Sequence, residues 1–398
     1  MSSDVRRILA AQACRAFAYG FASVLLGVSL AEHGWSSARV SLLLTAVIVG
    51  TAIATVLVGT YGDRIGRRRV YAVLFAGLAI TGVVFALSDR FWVLAPVALM
   101  GALSTDVVES GPFTTLEQAM LPQGVVGRER TSIFGRYNAI ATVAGSLGAL
   151  AAGGPALLRD QISSGPADQR FFFVLVPAAI AGFLIALTLS PGMETAHPHR
   201  GYFLPLKRSR ASVLRLSGLF AIDAFGGGFV LQSFIAYWFR IKFDVSTEVI
   251  GAVFFGVGLL QSASFLAATG IAGRIGLLNT MVFTHLPSNV LLAAIPLAPT
   301  LGVAIALLLA RVSLSQMDVP TRQAYIAALI PPGERTAAVA YTNSARYAAR
   351  PGGAALAGVV QQAALGLPFF LGGGIKICYD LARWLGFRRI ELPAESAE

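Results

Sequence analysis

Charge is what this sequence has least of. Asp, Glu, Lys and Arg make up 13% of its 398 residues, about half the roughly 25% of an ordinary soluble domain. A soluble fold of this length is therefore excluded, because 56% of the residues are hydrophobic and most of that surface must face lipid. Cysteine is nearly absent. Cys14 and Cys378 lie in or beside apolar runs and lack metal-ligand spacing, which argues against a disulfide framework or a zinc site. The four histidines, His33, His197, His199 and His285, are read as lying at span ends or in a connector and forming no metal set. There is no Gly-rich phosphate loop ending in Lys-Ser/Thr, so ATP is not expected to drive the protein directly, and no cofactor is expected. A cleavable signal is also missing. Arg15 breaks the first apolar run and no small-residue cleavage site follows. The net charge of +11 lies in short loops between apolar runs, which is the positive-inside pattern rather than a nucleic-acid-binding face.

What is present is a series of long apolar runs. Residues 40–58 and 70–88 carry no charge, and each is long enough to cross roughly 30 Å of hydrocarbon as a helix. Spans are expected at 8–31, 38–58, 70–88, 91–113, 132–154, 171–190, 214–239, 248–270, 278–295, 299–318, 337–361 and 366–386. The basic connector 191–213 divides them into bundles at 1–190 and 214–398. The expected fold is all-α, with twelve transmembrane helices in two pseudo-symmetric six-helix bundles. Both termini then lie in the cytosol, because the connector is basic while the outer loops 159–170 and 240–248 have no basic excess.

The two halves repeat. Gln118-Ala119, Glu129-Arg130-Thr131 and Asn138 recur 205 residues later as Gln323-Ala324, Glu334-Arg335-Thr336 and Asn343. Arg15-Ala16-Phe17 with Gly20-Phe21 recurs 208 residues later as Asp223-Ala224-Phe225 with Gly228-Phe229. Duplicated bundles that rock about a midplane site are a known transporter plan.

Between the second and third spans stands Gly59-Thr60-Tyr61-Gly62-Asp63-Arg64-Ile65-Gly66-Arg67-Arg68-Arg69, with a faded copy at Gly273-Arg274-Ile275-Gly276. The pattern Gly-x-x-x-Asp-Arg-x-Gly-Arg-Arg resembles the signature loop of the major facilitator superfamily of secondary transporters, where it follows the second of twelve helices. The resemblance implies alternating access around a cavity lined by spans 1, 4, 7 and 10. It also implies that Asp63, with Arg64, Gly66 and Arg67, latches the inner ends of spans 2 and 11, where a helix N-terminus attracts a carboxylate.

Ionisable residues inside spans cost free energy and mark function. Several fall on those same four spans: Arg15 on span 1, Asp106 and Glu109 on span 4, Asp223 on span 7, and Arg311 and Asp318 on span 10. Asp106 and Glu109 share one helix face and can share a proton, so Glu109, with Asp106 or Asp318, is the expected proton carrier. Asp318 can instead pair with Arg322, four residues on. Arg15 and Asp223 occupy equivalent repeat positions and are expected to pair across the bundles, either statically or as a breakable switch. Arg346 and Arg350 on span 11 either hold an anionic substrate or neutralise Asp318 or Asp223. Phe17, Tyr19 and Phe225 are candidate cavity aromatics. Lys376 and Asp380 are read as a structural pair near the cytosolic end of span 12. Glu117 with Arg136, and Glu129, Arg130, Glu334 and Arg335, are read as inner-gate ion pairs.

The expected function is proton-coupled movement of a small molecule across the inner membrane by a monomer, its partners being the solute, protons and the lipid bilayer, with no nucleic acid. The lean is to export, because no sugar- or peptide-uptake signature is seen. Against that lean, Pro155 follows the span-5 glycines instead of standing among them, and span 4 lacks the exporter branch's basic residue. Uptake of a small organic anion is the alternative, and a receptor or scaffold that moves nothing is a further one.

Overall fold

The computed structural model describes residues 3–32, 34–104, 111–121, 128–154, 168–194, 206, 208–331 and 334–389, and among them the regular structure is helical. We number the helices α1 (Ser3–Glu32), α2 (Ser37–Ile65), α3 (Arg67–Leu87), α4 (Phe91–Ala98), α5 (Gly111–Met120), α6 (Arg128–Ala151), α7 (Leu175–Thr188), α8 (Arg210–Gly228), α9 (Gln232–Phe243), α10 (Thr247–Ile275), α11 (Leu277–Ala294), α12 (Leu301–Ser315), α13 (Asp318–Leu329), α14 (Arg335–Ala363) and α15 (Leu367–Phe387). Among the described residues, eight helices are long and apolar enough to cross a membrane.

Three expected spans differ in detail. Residues 91–113 are not one continuous helix. Helix α4 runs through Pro96 and ends at Ala98, just ahead of Gly101, whose φ of +72° is a left-handed turn that glycine allows; the next helix among the described residues begins at Gly111. Residues 214–239 are α8 and α9, separated after the run Gly226-Gly227-Gly228, glycine being a poor helix former. The segment 299–318 stops at Ser315, and Asp318 opens the separate helix α13.

The chain divides into two compact units, Met1–Arg200 with Leu231–Leu259, and Gly201–Val230 with Leu260–Glu398. In the first, α1 is buried on nearly every side between residues 11 and 30. Small residues permit this. A β-carbon on Gly20 would strike the Gly145 carbonyl oxygen, and one on Gly148 would strike that of Phe17. Segment 231–259 joins this unit through the same kind of approach. Gly27 lies against Ser233, Gly251 against Ala149, and the Tyr237 hydroxyl donates to the Trp35 carbonyl at 3.2 Å.

The second unit repeats the central contact residue for residue. Gly228 meets the Arg350 carbonyl and Gly353 meets that of Phe225; these are the positions 208 and 205 residues on from Gly20, Gly145, Gly148 and Phe17. Backbone approach of this kind holds helices together in lipid, where no hydrophobic force does so. Gly148→Ala and Gly353→Ala should each lower stability by about 1–3 kcal/mol through overpacking, while Gly154→Ala, whose β-carbon would meet no atom among the described residues, should not lower it. Thermal unfolding of the purified protein measures all three.

Lipid-facing surfaces are apolar on these units and ions point inward. Helix α15 exposes Leu371, Leu381 and Leu385 and buries Lys376, Asp380 and Arg383. That inverted arrangement suits a helix whose outer solvent is hydrocarbon.

Candidate functional site

The signature loop is a tight joint between two helices. Helix α2 ends and α3 begins at Gly66, whose φ of +106° favours glycine. The faded copy keeps the same device, since Gly276 joins α10 to α11 at φ +84°. At the first joint Glu194 accepts the backbone N–H groups of Arg67 (2.7 Å) and Arg68 (3.2 Å), which supplies a carboxylate to the α3 N-terminus. Arg67 is buried and donates to the Ala119 carbonyl at 3.1 Å, near the C-terminal end of α5. Arg64 is exposed. Asp63 lies in α2, and its side chain is outside the described residues. Glu334 does similar work in the second unit. It accepts from the Arg208 N–H at 2.9 Å, from the Ser209 N–H at 3.0 Å and from the Ser209 hydroxyl, just ahead of α8. Glu129, Arg130 and Arg335 lie in helices, with side chains outside the described residues; Asp106 and Glu109 lie outside them altogether.

Most of the buried ions gather in two clusters, one within each unit. In the first, the fully buried Arg15 meets the fully buried Glu117 through Nη2–Oε2 at 2.8 Å and Nε–Oε1 at 3.3 Å. The Tyr71 hydroxyl donates to Oε1 at 2.7 Å and the Tyr137 hydroxyl donates to Oε2. The guanidinium lies 5.4 Å from the ring centroids of both Tyr19 and Phe113. Tyr19 is itself tied by its hydroxyl to the Ala102 carbonyl at 2.6 Å. Two charges withdrawn from water stay tolerable only when their remaining polar valences are filled, and here two phenols fill those of the carboxylate. The expected inner-gate pairing of Glu117 with Arg136 is thus corrected: Glu117 sits in the core with Arg15, and Arg136 is exposed.

The second cluster is a chain of alternating charge. Lys376 Nζ lies 2.5 Å from Asp223 Oδ1. His285 Nε2 stands 3.9 Å from that same oxygen, and its Nδ1 lies 2.9 Å from both oxygens of Asp380. Asn289 donates to Asp380 at 2.9 Å. Arg383 bridges Asp380 (3.0 Å) and Asp318 (2.7 Å) and donates to the Tyr379 hydroxyl. Arg322 completes the run on Asp318 at 3.0 Å. The ions come from α8, α11, α13 and α15, and all are buried.

Several pairings therefore differ from those expected. Arg15 and Asp223 each find a partner inside their own unit. Lys376 and Asp380 do not pair with each other but serve Asp223 and His285. His285 is in the middle of α11, not at a span end. The Asp318–Arg322 pair is present, with Arg383 added. Two repeat positions carry inverted charge in the two clusters, although the second pair is not in contact. Arg15 and Glu117 of the first correspond by the 208- and 205-residue offsets to Asp223 and Arg322 of the second. Phe17 and Phe225 are half-buried and pack against Phe21 and Phe229, with ring centroids 6.5 and 5.5 Å apart. Arg346 and Arg350 are half-buried on α14. Arg311 lies on α12, its Nε buried without a hydrogen-bond partner. Arg383, Asn289, Tyr71 and Tyr137 escaped the sequence reading. A signal existed for the first: residues 376, 380 and 383 follow the i, i+4, i+7 spacing of one helix face.

Comparison with known proteins places this geometry. The family model described as Major Facilitator Superfamily matches residues 8–354. The uncharacterized membrane protein YJR124C of Saccharomyces cerevisiae is 23% identical over 416 residues, covering 96% of this chain and 93% of that protein. The crystal structure of the nucleoside transporter NupG superposes with a TM-score of 0.72 at 14% identity, over 98% of this chain and 100% of that one. A D-xylose-proton symporter gives 0.70 at 14% identity, over 96% and 98%.

Proposed function

The chain belongs to the Major Facilitator Superfamily and is a secondary transporter, not an enzyme, and we propose that it couples solute movement to protons and exports its solute in exchange for them. The proposal places it in the inner membrane as a monomer with both termini in the cytosol. The observation that carries it is the buried chain of ionisable side chains in the second unit, running from Lys376 to Arg322. Helices that bury this many ions in a membrane keep them against a free-energy cost, and proton relays are a recurring reason. Glu109 and Asp106 are proposed as proton-binding carboxylates of the first unit, and Asp318, clasped by Arg322 and Arg383, as the fixed end of the second unit's chain. Arg311, Arg346 and Arg350 set the positive charge presented to the solute, and Asp63 with its loop governs closure.

A thermal-shift screen over varied solutes finds what binds. Proteoliposomes with an entrapped pH dye then test coupling. An imposed gradient of about one pH unit is worth ~1.4 kcal/mol per proton, a roughly tenfold accumulation ratio. The wild type should reach that ratio, and a protonophore should abolish it. Equal solute distribution with and without the gradient would overturn the coupling.

A further inference from the structure

We propose that His285 is the group of the second unit that takes up and returns a coupled proton, and that its protonation releases Lys376 from Asp223. This rests on the proton-coupled reading above. The geometry is that of a ring held between two carboxylates. With Nδ1 within 2.9 Å of both Asp380 oxygens, the neutral imidazole carries its hydrogen there and donates it to Asp380. Nε2 then presents a lone pair, and the atom ahead of it is Asp223 Oδ1 at 3.9 Å. That distance is beyond a hydrogen bond. A proton arriving at Nε2 turns the lone pair into a donor, and closing about 1 Å seats it on Asp223.

Asp223 Oδ1 is already occupied by the Lys376 ammonium at 2.5 Å. The same oxygen thus serves two candidate donors from two helices, α11 and α15. The lysine stem is long and flexible, its ammonium a compact point charge, whereas the ring is pinned. Both oxygens of Asp380 hold one side of it, and Tyr379 packs against it edge-on at 6.1 Å. When both compete, the lysine is the one able to leave.

Charge counting points the same way. Within the bonded network Lys376, Arg383 and Arg322 balance Asp223, Asp380 and Asp318 one for one. A neutral ring leaves that balance intact, and a protonated ring adds one positive charge. Lys376 already meets this carboxylate from α15, and an added cation from α11 favours expulsion of the mobile member. The other carboxylates are less open to a proton. Asp318 is clasped by Arg322 and Arg383, and Asp380 by Arg383, His285 and Asn289. The result is a proton-for-ammonium exchange at one oxygen: uptake at Nε2 sends the positive charge of Lys376 elsewhere, and proton loss draws it back.

The test uses ¹⁵N NMR of the full chain in lipid nanodiscs, with labelled histidine and lysine. As the medium is acidified His285 should pass from one protonated ring nitrogen to two, and the Lys376 Nζ signal should move in the same step. His285→Gln removes the signal for assignment and should bind one proton fewer per chain in the same acidification by potentiometric titration. In proteoliposomes it should bring the roughly tenfold accumulation ratio back to about unity. A ring that keeps one state throughout, measured on wild type and so independent of any folding defect, overturns the proposal. A Lys376 signal that stays still while His285 titrates overturns the release. Should the gradient drive solute while His285 keeps one state, the inference falls and proton coupling stands. Should His285 titrate while no gradient moves solute, proton coupling falls and takes the carrier role of His285 with it.

Discussion

Glu117→Leu should cost about 3–5 kcal/mol, because it strands Arg15 as an unpaired cation in a closed core. Every element of the cluster argues for a loss of that size. Arg15 is fully buried, the fork of two hydrogen bonds disappears, and the Tyr71 and Tyr137 hydroxyls lose their acceptor together. The rings of Tyr19 and Phe113 remain over the guanidinium and return about 0.5–2 kcal/mol at most. The control is the double variant Arg15→Met with Glu117→Leu. Replacing a whole buried pair by apolar groups of similar volume is often neutral or stabilising, so the double variant should unfold at a higher temperature than Glu117→Leu alone. A single variant as stable as wild type would mean that the pair does not hold the first unit together. A double variant no better than the single would mean that the loss came from packing around the new leucine instead.

Arg383→Met should be comparably damaging in the second unit, again about 3–5 kcal/mol. Arg383 is the node of its chain. It is the cation that reaches both Asp380 and Asp318, at 3.0 and 2.7 Å, while its guanidinium lies 4.6 Å from the Tyr379 centroid. After its removal Asp318 keeps Arg322, and Asp380 keeps His285 and Asn289, so the deficit is one positive charge shared by two buried carboxylates. Arg383→Lys separates charge from shape. A lysine restores the charge but is a point donor and lacks the planar fork needed to bridge two acceptors, so its unfolding midpoint should fall between those of wild type and Arg383→Met. Equality of Lys with wild type would show that charge alone matters at this node.

Local features of the chain were readable in advance because they depend on near neighbours. The joint at Gly66 follows from a helix that must end beside arginines, and Gly276 follows from the copy of that loop. The glycines at 20, 148, 228 and 353 stand out as a pattern repeated at fixed offsets, and the structure uses that pattern as one helix contact made twice. Lys376 shows where such reading stops. Its nearest opposite charge along the chain is Asp380, four residues away, which is the pair that helical spacing suggests. Its partner is Asp223, 153 residues earlier. Span 4 failed for another reason: hydropathy averages over a window and does not register a turn at one glycine such as Gly101.

The order of apolar runs fixed the helical class and the duplication, since lipid leaves a chain few ways to satisfy its backbone and that demand acts on each segment separately. Which ion meets which was decided by tertiary structure alone. A buried charge takes whichever opposite group the packed helices bring within about 3 Å, and that distance is set by how helices far apart in the chain lie against one another. Arg15 and Asp223 hold equivalent places in the repeat, yet one closes on Glu117 and the other on Lys376, because the helices around them carry different side chains at the depth where each ion sits.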